Sequence, residues 1–191
     1  TQRLSYVGEL GYELYIDVKN AKKIYNLIIE KGAKYKISNC GMHAMDIMRM
    51  ESGFLHWGHD ISPEENQYEA SLNFAISYKK NVDFIGKEAL LKIKAQKNFK
   101  QFVILSLKDS KPGEPLLLHD EPIYLEDKII GRTTSGNYSF NYKKNVSFGY
   151  IKSESLISEL ANQNLFIEIE KTKYPVTLET RPLKNKDFQS L

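Results

Sequence analysis

The sequence predicts an α+β chain: a mixed helix-and-strand part followed by a small antiparallel six-stranded β-barrel. Two patterns carry this. Up to about residue 96, helical spacing alternates with strand-like stretches. From residue 101 onward, short strands recur at roughly ten-residue intervals with turn residues between them, a spacing typical of small barrels. The change falls in the lysine-rich stretch 94–100, which reads as a linker, so two domains are expected, 1–96 and 97–191.

The elements follow in order. Residues 4–18 alternate as a strand, with Tyr12, Leu14 and Ile16 on one face and Glu13, Tyr15 and Asp17 on the other. Gly8-Glu9-Leu10-Gly11 marks a turn or bulge, with Glu9 as a turn-stabilising residue. Asn20 is the expected N-cap of a helix carrying Ile24, Leu27 and Ile28 and ending at Gly32. A second helix, 41–52, is apolar nearly all round, so it should be mostly buried. Its polar residues His43, Asp46 and Arg49 form one narrow stripe. That stripe reads either as an internal Asp46–Arg49 ion pair or as the wall of a site. A short strand 73–78 and a helix 83–96 come next. Barrel strands are expected at 101–107, 121–125, 128–135, 146–151, 165–170 and 173–180, with a helix at 153–161.

Composition excludes several function classes. The chain has 191 residues, 41% hydrophobic and 12% aromatic, which is too rich for a disordered tail. No apolar run approaches the roughly 20 residues that a spanning helix needs, so no membrane association is expected. Of 27 basic residues only Arg3, Arg49, Arg132 and Arg181 are arginine. The lysines lie in scattered pairs, which suits a solvated surface and not a nucleic-acid site. Cys40 is alone, so no internal disulfide is possible and a reducing, cytoplasmic compartment is expected, or the mitochondrial matrix in a eukaryote. His56-x-x-His59-Asp60 lies in a glycine- and tryptophan-containing loop, not on a helix, and no metal is expected there. No Gly-x-Gly-x-x-Gly or phosphate loop is present, and no nucleophile–base pair can be nominated.

One stretch is more specific. Arg3-Leu4-Ser5-Tyr6-Val7-Gly8-Glu9-Leu10-Gly11-Tyr12-Glu13-Leu14-Tyr15 resembles the S-Y-T-G-E-x-G-Y-E segment of the glycine-cleavage T-protein (aminomethyltransferase) superfamily. The resemblance continues through Asp46-Ile47-Met48-Arg49-Met50-Glu51-Ser52-Gly53, His56 to Ile61, Asp83 to Leu90, Gly131 to Gly136 and Arg181-Pro182-Leu183. Within the superfamily, His56-Trp57-Gly58-His59-Asp60 and Lys173-Tyr174-Pro175-Val176 are most similar to the folate-binding region of sarcosine and dimethylglycine dehydrogenases. Met45 stands where aminomethyltransferases tend to carry a folate-binding arginine.

The resemblance implies tetrahydrofolate binding through Tyr6, Glu13, Leu14, Tyr15 and Arg49. Glu13 would accept the two-donor edge of the pterin, and Tyr6 and Tyr15 would line the pocket. Arg49 could pair with Asp46 or reach a folate carboxylate. No position matches the family's catalytic aspartate, which precedes the first motif, so no catalytic residue is assigned. The chain is expected to be the C-terminal portion of a demethylating dehydrogenase whose FAD sits in an upstream flavin domain. That parent would pass a one-carbon unit to the folate as methylene-tetrahydrofolate. The alternatives are an aminomethyltransferase working with a lipoyl-carrier protein and a non-catalytic folate-binding regulator. Self-association through an exposed half-domain surface is also expected.

Overall fold

A computed structural model describes residues 1–80, 82–96, 100–153 and 157–184. Six antiparallel strands close a barrel in the order β1-β4-β3-β2-β5-β6. They are β1 Gln101–Leu107, β2 Pro122–Leu125, β3 Lys128–Ser139, β4 Lys144–Ile151, β5 Leu165–Ile169 and β6 Thr172–Glu179. Closure leaves no unpaired strand edge, so six short strands suffice for a stable sheet. The interior is filled by Val103, Leu105 and Leu107 of β1, Ile123, Ile151, Leu165, Ile167, Val176 and Leu178.

The barrel wall is thinnest where strands approach most closely. A Cβ on Gly131 would lie 2.0 Å from the Tyr150 carbonyl oxygen across the β3–β4 ladder, so only glycine fits. β3 runs to Ser139, four residues beyond the expected end, after a bulge between Thr133 and Ser135. Gly136, just past the expected end of the strand, continues it. A Cβ there would stand 2.6 Å from both the Leu117 side chain and the Leu118 carbonyl, so its glycine permits close packing.

Outside the barrel, α2 (Met42–Glu51) lies across β3 and β4, and its inner face shares one apolar cluster with the outer residues of β1. β1 is therefore buried on both faces. Phe102 and Ile104 point outward beneath Ile47 and Met50, together with Val146, Phe148, Tyr150 and Leu183. Phe102 meets Phe148 edge-on at 5.0 Å and Tyr150 at 5.7 Å, an arrangement favoured by ring quadrupoles.

Several expected elements are corrected. Residues 4–18 form no strand; only Gln2 and Glu13 form a two-hydrogen-bond bridge, each at 2.9 Å. An alternating segment needs a neighbouring strand to hold it, and among the described residues Gln2 alone pairs with it. Tyr12, Leu14 and Tyr15 are consequently exposed. Helix α1 (Val18–Gly32) is capped by Asp17, whose side chain accepts from the Lys19 N–H at 3.1 Å, and not by Asn20. The expected strand 73–78 is a single 3-10 turn, Asn73–Ala75. α3 (Lys87–Ala95) starts four residues late because Gly86 takes a positive φ of 88° ahead of it. The expected helix 153–161 is described at Ile157–Leu160 (α4); residues 154–156 lie outside the described residues, as do 97–99 at the expected domain boundary. Finally, α2 is buried only in its second half, at Ile47, Arg49, Met50 and Glu51, while Met42 is 71% exposed. Among the described residues no helix is long and apolar enough to cross a membrane.

Candidate functional site

The stripe on α2 is both an ion pair and a wall. Arg49 is 1% exposed and spends every donor within the protein. Its Nε donates to Asp46 Oδ1 at 2.9 Å, and Nη2 lies 2.7 Å from the same oxygen. Nη1 donates to the Phe54 carbonyl at 3.1 Å and to Asp60, and Nη2 donates to Ser135 Oγ at 2.8 Å. The guanidinium also sits 5.2 Å over the Phe148 ring.

Asp60, equally buried, completes the network. It accepts from the His56 N–H at 2.9 Å, from Thr134 Oγ1 at 2.5 Å and from Ser135 Oγ at 2.8 Å. Its own carbonyl accepts from Tyr150 OH at 2.8 Å. Thus α2, the loop after it, β3 and β4 are tied through one charge pair whose polar atoms are satisfied. Nearby, buried Glu51 accepts from Ser139 Oγ at 2.6 Å and Asn141 Nδ2 at 2.9 Å, fixing the end of α2 to the β3–β4 turn.

This frame borders two cavities. The first, about 500 Å³, lies between Tyr6, the α2 stripe, the 56–59 loop and the 112–119 loop at the barrel end. The second, about 890 Å³, is flanked by Tyr6, Trp57, Phe74, β1 and Arg181. Both volumes are in the range of small-molecule sites, roughly 300–1,000 Å³. Tyr6 stands at the wall of both, its OH 3.4 Å from the Leu55 carbonyl. Burial raises its pKa above the usual phenol value; Arg49 opposes the rise, and Asp60 and Asp46 add to it. The phenol therefore stays protonated and serves as a donor.

The structure brings Tyr6 and Arg49 together but leaves Glu13, Leu14 and Tyr15 apart from them. None of these three lines either cavity. Glu13 is exposed and accepts from Tyr15 OH at 2.7 Å, a bond that holds the Tyr15 proton in place and raises its pKa. Glu9 does brace its turn, pairing with Lys184, which also donates to the Gly8 carbonyl at 3.0 Å. Arg49, expected either to pair with Asp46 or to meet a folate carboxylate, pairs with Asp46 and adds Asp60.

Sequence reading missed Asp60 and Ser135 as partners of Arg49, and Thr134 as a partner of Asp60. The signal was present: all three sit inside the segments quoted for the resemblance, and two hydroxyls in a barrel strand invite a charged partner. Among the described residues no three of the His, Cys, Asp and Glu side chains are grouped to hold a metal ion.

The site thus consists of a six-stranded barrel, a clamped helix on its wall and a cavity at their junction. Residues 1–80 match the family model described as the GCVT N-terminal domain, and residues 100–184 match the glycine cleavage T-protein C-terminal barrel domain. The chain belongs to the glycine cleavage T-protein superfamily. It is 36% identical over 182 residues to the mitochondrial dimethylglycine dehydrogenase of Rattus norvegicus, covering 95% of this chain and 20% of that protein. It is 33% identical over 149 residues to an aminomethyltransferase of Symbiobacterium thermophilum, covering 78% of this chain and 39% of that protein. Its fold matches the crystal structure of glycine cleavage system aminomethyltransferase T from Bartonella henselae with a TM-score of 0.78, at 22% identity, over 95% of this chain and 48% of that one. The chain thus spans about a fifth of the dehydrogenase relative's length.

Proposed function

We propose that the chain is the tetrahydrofolate-binding C-terminal region of a demethylating dehydrogenase of the dimethylglycine or sarcosine type. The position of Tyr6 carries the reading. A half-buried aromatic donor stands at the wall of both cavities, and its own segment leads seven residues on to the open carboxylate of Glu13. Similarity to dimethylglycine dehydrogenase over nearly the whole chain supports it.

The residues fit the group by their chemistry. A carboxylate offers about four lone-pair sites, and Tyr15 occupies one, so Glu13 can still accept a two-donor edge. Tyr6 offers a ring face and a proton, and Leu14 and Tyr15 offer apolar surface beside Glu13. Arg49 acts from behind, holding Asp46 at the cavity wall and fixing the cavity's shape. When bound, tetrahydrofolate supplies the nucleophilic nitrogen that accepts the one-carbon unit. Holding the folate beside the site of amine oxidation would raise the effective concentration of the two reactants. In this reading FAD belongs to another part of the parent protein. The face around Leu10, Tyr12, Tyr15 and Val18, all more than 60% exposed, is then available for such a part or for self-association.

The second reading, an aminomethyltransferase acting on a lipoyl-carrier protein, is favoured by the S. thermophilum relative. The assay that separates them uses the full-length protein with sarcosine or dimethylglycine. The dehydrogenase reading expects amine oxidation with formaldehyde released, and suppression of that release by tetrahydrofolate. No oxidation of either amine, with turnover of a lipoyl-bound aminomethyl group, would establish the second reading instead.

A further inference from the structure

All four histidines of the chain open onto one cavity, the 500 Å³ space at the end of the barrel. His43 comes from the first turn of α2, His56 and His59 from the loop after it, and His119 from the stretch before β2. The larger second cavity has none. The His56 and His59 rings lie 4.6 Å apart, centroid to centroid, tilted by 36°.

We propose that this cavity binds a small oxyanion, of carboxylate or phosphate type, between protonated His56 and His59, so that the anion and a proton are taken up together. The charges facing the site make the histidines decisive. From α2 come Arg49 and Asp46, paired with one another; from the loop comes Asp60, on the same guanidinium. Arg49 and Asp46 thus bring one charge of each sign to the wall, with Asp60 buried behind them, and no lysine lines the cavity. Tyr6 stays neutral, and the β3 hydroxyls of Thr134 and Ser135 are engaged by Asp60. His119 lies 3.0 Å from Asp120, whose other oxygen takes Arg132 at 3.0 Å. With neutral imidazoles the lining carries no excess positive charge, and two added protons supply it. Two imidazolium rings this close repel each other unless an anion screens them, which couples the two bindings.

A transition metal is the competing occupant of a histidine-lined space. It needs converging lone pairs, and no group of three such ligands is assembled among the described residues. The inference does not rest on the folate reading, because small anions test it with no folate present.

The test follows the four imidazoles by 1H–15N NMR while the chain is titrated with sulfate or acetate at pH 6 and pH 8, where both probes keep their charge. The His56 and His59 signals should move saturably. Because binding requires the protonated rings, affinity should be at least tenfold tighter at pH 6 than at pH 8. Tighter sulfate binding assigns a phosphate-type ligand; tighter acetate binding assigns a carboxylate. The His56→Asn/His59→Asn variant should lose the response while its barrel amide spectrum is retained. His59→Asn alone, at an exposed position, serves if the double variant fails to fold. No saturable shift at pH 6, equal affinity at both pH values, unchanged binding by the variants, or a response to zinc without one to the anions would overturn it.

Discussion

Replacing Arg49 with methionine removes the positive centre of the clamp while keeping much of its volume. Asp60, 1% exposed, would then stay buried without its counter-ion, and the Phe54 carbonyl and Ser135 hydroxyl would each lose a donor. Breaking a buried pair from one side costs about 3–5 kcal/mol. In urea that corresponds to a midpoint lowered by roughly 1–5 M, for a slope of about 1–3 kcal/mol per molar. The double variant Arg49→Met/Asp60→Asn should recover about 1–3 kcal/mol of the summed single losses, because the uncompensated charge is gone. The assay is equilibrium urea unfolding of all four proteins, followed by circular dichroism and tyrosine fluorescence. A loss below about 1 kcal/mol for Arg49→Met, or a double variant equal to the sum of the singles, would refute the clamp.

Other consequences are equally open to measurement. Gly131→Ala should destabilise the barrel by about 1–3 kcal/mol or prevent folding, since its methyl meets a backbone oxygen and not a flexible side chain; thermal unfolding reads this directly. Met50→Ala, at a position with no exposure on the buried face of α2, should cost about 2–5 kcal/mol in the same assay. Burial alone would push the Glu65 carboxyl up, but Lys100 and the Ser62 hydroxyl and N–H together hold it below the usual value. Its stabilising contribution is therefore complete above the ordinary glutamate pKa of about 4.3 and is lost as pH falls through the depressed folded value. The stability gap between the native chain and Glu65→Gln should be constant from pH 6 to 8 and shrink below about pH 4.3; a gap independent of pH would contradict the pairing.

The barrel was legible because its cause is local and repetitive: alternating residues and regularly spaced turns specify strands that find partners within the same stretch. Where reading failed, the deciding partner was distant. Residues 4–18 alternate as well as any barrel strand does, but a strand requires a ladder, and Gln2 supplies only one bridge. The need for glycine at position 136 shows only once Leu117 and Leu118 are seen pressed against it. The α2 stripe was visible from its three-residue spacing, whereas Asp60 and Ser135 as its partners were not, because contacts 11 to 86 residues away from Arg49 leave no periodic trace. The same holds for the four histidines, whose convergence exists only in three dimensions.

The central claim, that the segment from Tyr6 to Tyr15 and the adjoining cavity bind tetrahydrofolate, is tested most directly by calorimetry with tetrahydrofolate on the full-length protein and its Glu13→Gln variant. The account expects saturable binding by the native protein and at least a tenfold loss in the variant, as for removal of one charged hydrogen-bond acceptor worth about 1.5–3 kcal/mol. No binding by the native protein, or equal binding by both, would contradict it.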